Sequence, residues 1–414
     1  MSIKHAHPKV FYGWWVVTAG IVIYATLLGS YQAFGVFFKP IQSEFGWGRA
    51  VTASAFFIGT MAMAALSPFV GSLSDRYGPR RIITTVGITG ALGYALISQV
   101  QTQWQLYGCF VLMGSGGTFF VPVLSVVSRW FTLRRGLALG LTGIGGGIGQ
   151  ALFPPLSQVL LDNYGWRNAY LIIAGGLVVV VVSVAQVLRG HPGEKGLLPY
   201  GEKGYTDINT PPIKRPSTPP LKLKQVIHTK VFWIILLATS AGHFTYQMTW
   251  VHLVPYVTDP EIGVSSMVGA SLMSAIGWSN MAGKVFMGNL SDRIGPRLTL
   301  IMCYGVSGMA MLWLVISKQL WMLYVFSFVL GFFYGGSIPL QPALVGSIFG
   351  LESLGAVSGG VQSGTSAGGA TGSVLGGYIY DVTGSYFYAF LLGAILFFTS
   401  MILVLLVKKP RGTV

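Results

Sequence analysis

Charge is what this chain of 414 residues has least of: Asp, Glu, Lys and Arg together make up 9% of it, against about 25% in soluble domains. Acids are scarcest, 11 in all against 26 basic residues, which leaves a net charge of +15. So few charges cannot cover a globular surface in water. Hydrophobic residues at 52% and a mean hydropathy of +0.65 instead supply surface for lipid. Cysteine is limited to Cys109 and Cys303, both inside apolar runs, which excludes a disulfide framework. The sequence has no His/Cys/Asp metal-ligand spacing and no nucleophile–base motif, and no acid falls inside an apolar run, all of which argues against a membrane-embedded enzyme. The apolar runs are continuous, without period-2 alternation, so a transmembrane β-barrel is excluded as well.

What is present is length in those runs. A helix needs about 20 apolar residues to cross the hydrocarbon, and twelve stretches qualify. Six precede residue 189 (11–38, 50–72, 82–101, 104–131, 136–160 and 168–188), and six follow it (229–257, 266–289, 297–317, 319–349, 354–380 and 386–408). The first is too long for a cleavable signal peptide and lacks a small-residue cleavage site. The expected fold is therefore an all-α membrane protein of twelve transmembrane helices. Its halves are 1–188 and 229–414, joined by a Pro-, Gly- and Lys-rich linker at 189–228 that contains Pro211, Pro212, Pro216, Pro219 and Pro220 and reads as a tether. With both termini inside, 21 basic residues fall in cytoplasmic segments, and only Lys39, Arg49, Arg167 and Lys318 lie outside. Acids split evenly enough, 6 to 5, that the asymmetry is a basic one. Topology therefore accounts for the basic excess, and a nucleic-acid partner is not required.

The halves repeat. Gly71-Ser-Leu-Ser-Asp75-Arg76-Tyr-Gly78-Pro79-Arg80 recurs 217 residues later as Gly288-Asn-Leu-Ser-Asp292-Arg293-Ile-Gly295-Pro296-Arg297, with only two of the ten positions changed. Parallel repeats with a midplane site between them are one architecture of secondary transporters. These loops resemble the G-x-L-x-D-R-x-G-x-R signature of the major facilitator superfamily, and the resemblance covers the whole chain. Two further stretches, Tyr12-Gly13-Trp14-Trp15 and Trp130-Phe131-Thr-Leu-Arg134-Arg135-Gly136, resemble the monocarboxylate porter family. The oxalate/formate antiporters are its neighbours. What the resemblance implies is alternating-access transport of a small monocarboxylate such as lactate or pyruvate with a co-transported proton and no cofactor. The expected carrier is a monomer, multi-pass in a bacterial cytoplasmic membrane. An organic anion exchanger is the competing transport function, and a non-transporting sensor on the same fold is a further one.

In each signature loop an acid, Asp75 or Asp292, stands at a helix end with arginines one and five residues on (Arg76 and Arg80; Arg293 and Arg297). Such groups can latch one face shut through charge-assisted hydrogen bonds, or simply hold the loop on its side of the membrane. The Gly-rich runs from Gly140 to Gly149 and from Gly355 to Gly377 lack G-x-G-x-x-G order and a strand before them. They read as helix-packing and sliding surfaces, not as nucleotide loops.

One charged side chain lies well inside a span: Lys284. An ionisable group at that depth is a functional-site hypothesis by default, although four residues before Gly288 it can also snorkel to the interface. Asn280 shares its helical face. By the family resemblance, this helix carries an Asp and, four residues on, an Arg that binds the carboxylate. Here both are replaced, by Asn280 and Lys284. Lysine keeps the positive charge, loses the bidentate fork and, unlike arginine, can release a proton. The resemblance to oxalate porters implies a second cation in the eleventh span, but that span here has no Lys or Arg, which favours a monoanion over a dianion. The first span likewise lacks the lysine found in animal relatives. Leu28, Tyr31 and Gln32 in the first span, Phe119 in the fourth, Gln247 and Trp250 in the seventh and Tyr334 in the tenth are further candidates for the cavity wall. His243, His252, Asp259 and Glu261, in or near the seventh span, are candidates for proton handling.

Overall fold

The computed structural model describes residues 11–201, 223–349 and 354–407. The prolines expected in the linker lie outside the described residues. Helices α1 (Tyr12–Gln32) and α2 (Phe34–Phe45) form one pass with a break at Ala33, and α3 (Arg49–Tyr77) and α4 (Pro79–Ile97) form the next two. The fourth pass is α5 (Gln103–Gly117) continued by α6 (Phe120–Trp130). The continuous helix α7 (Arg135–Ala185) supplies the fifth and sixth, interrupted at Gly165, where φ is 72°. A short helix, α8 (Leu223–Val226), precedes α9 (Lys230–Thr258), α10 (Ser266–Ile294), α11 (Pro296–Ile316), α12 (Leu320–Phe349), α13 (Leu354–Thr383) and α14 (Phe387–Leu406). These segments coincide with the twelve spans expected from hydropathy. Large apolar side chains such as Phe69, Val179, Val285 and Phe286 stay exposed on the outer faces, as lipid contact requires.

The buried side chains form two cores. One runs from Phe11 to Leu188 and includes Val251, and the other runs from Val226 to Val407 and includes Val36. Packing repeats as the sequence does. In the first half α1 lies on α7, α3 on α5, and α4 on the second part of α7; in the second half α9 lies on α13, α10 on α12, and α11 on α14. The halves meet where α7 crosses α10, α13 crosses α3 and α2 crosses α9.

Glycine explains both kinds of close approach. A Cβ on Gly149 would overlap the Ala25 carbonyl oxygen on α1, and one on Gly372 would overlap the Phe244 carbonyl oxygen on α9. Gly147 abuts Met281, and Gly377 abuts Arg49 and Ala50, each across the line between halves. The Gly-rich runs are thus packing surfaces both within and between the halves. In the signature loops Gly78 and Gly295 adopt φ of 88° and 89°, and Pro79 and Pro296 begin the next helix. The Gly-Pro pair therefore makes the turn: glycine takes the positive φ, and proline at the first helical position gives up no needed donor.

The two family-like motifs pack on each other. Tyr12 lies tilted against Trp130 with ring centroids 5.3 Å apart, and Trp14 meets Phe131 at 5.0 Å. The stretch just after the first half closes over this cluster. Tyr200 donates to the Trp130 carbonyl, its own carbonyl accepts from Leu133, and Trp130 Nε1 donates to the Arg189 carbonyl. The segment expected to be a free tether is thus bound to α6 as far as Gly201.

Candidate functional site

Between the halves lies a cavity of about 690 Å³. Its walls come from passes of both halves: Leu28, Tyr31 and Gln32 from α1, Gln150 from α7, His243, Tyr246 and Gln247 from α9, Asn280 and Lys284 from α10, Tyr334 and Gln341 from α12, and Gln362 from α13. Among the described residues, Lys284 is the one Lys, Arg, Asp or Glu in the wall. Its ammonium has no hydrogen bond or ion pair there. One turn earlier, Asn280 is 1% exposed and its Oδ1 is buried without a partner. It is held by α12, whose Gly335 abuts its Cα.

An aromatic ladder lines the cavity beside them. Tyr334 and Tyr246 stack with centroids 3.9 Å apart and planes 10° apart. The Tyr334 hydroxyl is hydrogen-bonded to His243 Nδ1. Tyr246 donates to Gln150 Oε1 across the halves at 3.5 Å, and Gln247 Nε2 donates to Gln32 Oε1 at 3.4 Å. Trp250 does not face the cavity; its indole N–H donates to the Gln32 carbonyl at 2.8 Å, closing the floor.

Beyond that floor, at the end away from the signature loops, the halves are clamped. Arg49, 5% exposed on α3, donates to Asp259 at 3.0 Å and to the Tyr386 hydroxyl at 2.7 Å, and lies 3.4 Å from the Tyr380 ring centroid. Lys39 joins the same carboxylate at 2.7 Å. Asp381 accepts the backbone N–H groups of Arg49 and Ala50, both at 2.8 Å, and so caps α3 from the other half. His252 binds the Tyr386 hydroxyl and the Ser373 carbonyl.

At the signature-loop end, among the described residues, no ion pair crosses the halves. Asp75 pairs with Arg129 of its own half. Arg76 lies over Tyr77. Arg80 binds Gln186 just past α7, and Arg297 binds the Val404 and Leu405 carbonyls at the end of α14. These two arginines hold equivalent positions in the repeat and both staple a helix C-terminus within their own half, where cations offset exposed carbonyls. Asp292 and Arg293 are exposed and form no ion pair among the described residues. The cavity is therefore shut at the clamp and reaches toward the signature loops through Val345 and Ser358.

The structure brings Lys284, Asn280, Tyr334, Leu28, Tyr31, Gln32, Gln247 and His243 to one cavity. Phe119 is not in its wall: the ring is 1% exposed, edge-on to Tyr24 at 5.2 Å, and its neighbour Phe120 faces the space. Successive side chains on a helix point about 100° apart, so the two rings turn to different sides. Asp259 and Glu261 stand at the clamped end, the latter paired with Lys318 at 3.4 Å, so they form no cluster with His243. Sequence reading missed Arg49, counted only as an outer loop charge, and Asp381, just past a span. It also missed the carboxamides Gln150, Gln341 and Gln362; a glutamine inside an apolar run was the available signal.

Two repeated six-helix halves around a midline cavity, open toward one end and clamped at the other, are the architecture of a membrane transporter. The Major Facilitator Superfamily profile matches residues 20–281 and 240–414. Monocarboxylate transporter 13 of Rattus norvegicus is 31% identical over 406 residues, covering 96% of this chain and 90% of the relative. Monocarboxylate transporter 12 of Homo sapiens is 27% identical over 430 residues, covering 98% and 83%. Among solved structures, a bacterial homologue of the human lysosomal transporter Spinster, inward-facing and occupied, is similar in fold with a TM-score of 0.69 at 14% identity, over 96% of this chain and 95% of that one. The chain belongs to the major facilitator superfamily and, within it, to the monocarboxylate transporter family. It is a transporter, not an enzyme.

Proposed function

We propose that the protein carries a monocarboxylate anion together with a proton, as a monomer, with its signature loops and both termini on the cytoplasmic side. The observation that carries this reading is the Lys284 ammonium, which lines the cavity beside the buried, partnerless Oδ1 of Asn280. One cation suits one carboxylate. A lone ammonium in a low-dielectric cavity is costly, and an arriving carboxylate relieves that cost. Proton and anion thus favour each other's binding and leave together, without net charge movement. Lactate and pyruvate are the small members of this substrate class. His243, hydrogen-bonded to Tyr334, is a second place for the proton on the same wall.

The repeat supports alternating access. The halves touch along glycine-lined crossings, a few hydrogen bonds around the cavity and the polar clamp, so rocking them opens one end as it shuts the other. An exchanger of dianions needs a second cation in the wall, and the described part of α13 has no Lys or Arg. The test is uptake of labelled monocarboxylates by purified protein in proteoliposomes empty of substrate, with an acid-outside gradient. Accumulation that follows the gradient supports symport, whereas uptake only into vesicles preloaded with anion supports exchange.

A further inference from the structure

The cavity has two polar poles, and they are far apart for a three-carbon acid. At one stands Lys284. At the other is the Gln247–Gln32 pair: Gln247 is 4% exposed, its Nε2 is used on Gln32, and its Oε1 is buried without a partner while lining the cavity. Gly269 of α10 abuts Val254 and Val257 of α9, which sets the register between those helices. Counting from that contact at 1.5 Å per residue separates Lys284 from Gln247 by about 10 Å along the helix axes. The wall between them is the flat Tyr246–Tyr334 pair, stacked at 3.9 Å, with the Tyr334 hydroxyl already taken by His243. That pair offers ring edges to a ligand, because the faces are turned on each other and the two side chains are 3% and 2% exposed, and it offers no further hydrogen bond from Tyr334. The space, about 690 Å³, falls among pockets that enclose ligands much larger than lactate.

From this arrangement we infer that the preferred substrate is an extended monocarboxylate with a flat or apolar middle and a distal hydrogen-bond donor. The carboxylate meets Lys284, the middle lies along the Tyr246–Tyr334 ring edges, and a hydroxyl or N–H at the far end donates to Gln247 Oε1. A carbonyl oxygen buried without a donor pays for its lost hydration only when such a donor arrives. For that reason a site built this way rejects an analogue lacking the group more strongly than one lacking a methylene. The inference rests on the monocarboxylate reading above and narrows it.

The experiment compares wild-type protein in proteoliposomes on three labelled acids: lactate, phenylacetate and 4-hydroxyphenylacetate. We expect the half-saturating concentration for 4-hydroxyphenylacetate to be at least about tenfold below that for phenylacetate, with lactate the weakest. Gln247→Leu should bring the ratio of the two aromatic acids to near one. Lactate transported with equal or higher affinity than 4-hydroxyphenylacetate overturns the inference and leaves the monocarboxylate reading standing. An equal response to the two aromatic acids in the wild type, or an unchanged ratio in a folded Gln247→Leu, also overturns it. Uptake of none of the three refutes both readings.

Discussion

Replacing Arg49 by Leu removes the centre of the clamp, and its effect can be worked from the contacts. The hydrogen bond to Asp259, 3.0 Å long and between charged groups, is worth about 1.5–3 kcal/mol. The guanidinium over the Tyr380 ring at 3.4 Å adds about 1 kcal/mol. Asp259 keeps Lys39 at 2.7 Å, so it is not stripped bare, and the heavier cost of orphaning a buried charge does not arise. The total of about 3 kcal/mol crosses the two halves and exists only while this end is shut. It therefore weights the equilibrium between conformations, and its loss shifts that ratio about a hundredfold. Paired spin labels at Gln101 and Gln319, exposed on opposite halves at the clamped end, read the change. Cys109 and Cys303 are buried and leave the background quiet. We expect a longer distance to become a major population in Arg49→Leu and a smaller shift in Asp381→Asn, which removes only the cap on α3. An unchanged distance distribution in Arg49→Leu would show that the clamp does not set the equilibrium.

Lys284→Arg keeps a cation that cannot deprotonate. It should still bind the acid but lose pH-driven accumulation, and a variant that concentrated substrate as well as the parent would clear Lys284 of proton carriage. Asp75→Asn breaks a pair whose carboxylate is 64% exposed. Thermal unfolding should therefore move by less than the equivalent of about 1 kcal/mol, while turnover changes more than affinity; a large loss of affinity at unchanged turnover refutes the latch role. Gly372→Val drives a side chain into the Phe244 carbonyl of α9, and destabilisation of about 1–3 kcal/mol or failure to fold is expected. Gly175→Ala, whose Cβ meets nothing within 4 Å, should be tolerated, and equal unfolding temperatures for these two variants would contradict the packing argument.

Twelve membrane passes, their repeat in two halves and the signature turns were legible in the order of residues, because each depends on local physics. A span is fixed by a run of apolar residues long enough for the hydrocarbon, and a Gly-Pro turn is fixed by two adjacent backbones. Lys284 and Asn280 stood out for a similar reason: a charge amid apolar neighbours needs no partner in view to be noticed.

Where side chains meet across the fold was decided by tertiary structure alone. Arg49 and Asp259 are 210 positions apart, and nothing local to either marks them as a clamp; one looked like a loop charge and the other like a proton site. Arg80 and Arg297 carried the superfamily signature, yet each spends its guanidinium on the end of a helix that arrives much later in the chain. Phe119 and Phe120 are adjacent in sequence and point about 100° apart on a helix, and only the packing of the neighbouring helices decides that one ring enters the core and the other the cavity. Hydropathy determines how often the chain crosses the bilayer, since each crossing satisfies its own backbone. Which polar groups share a cavity depends on the register and tilt of separate helices, and close packing at the glycine crossings sets these in three dimensions.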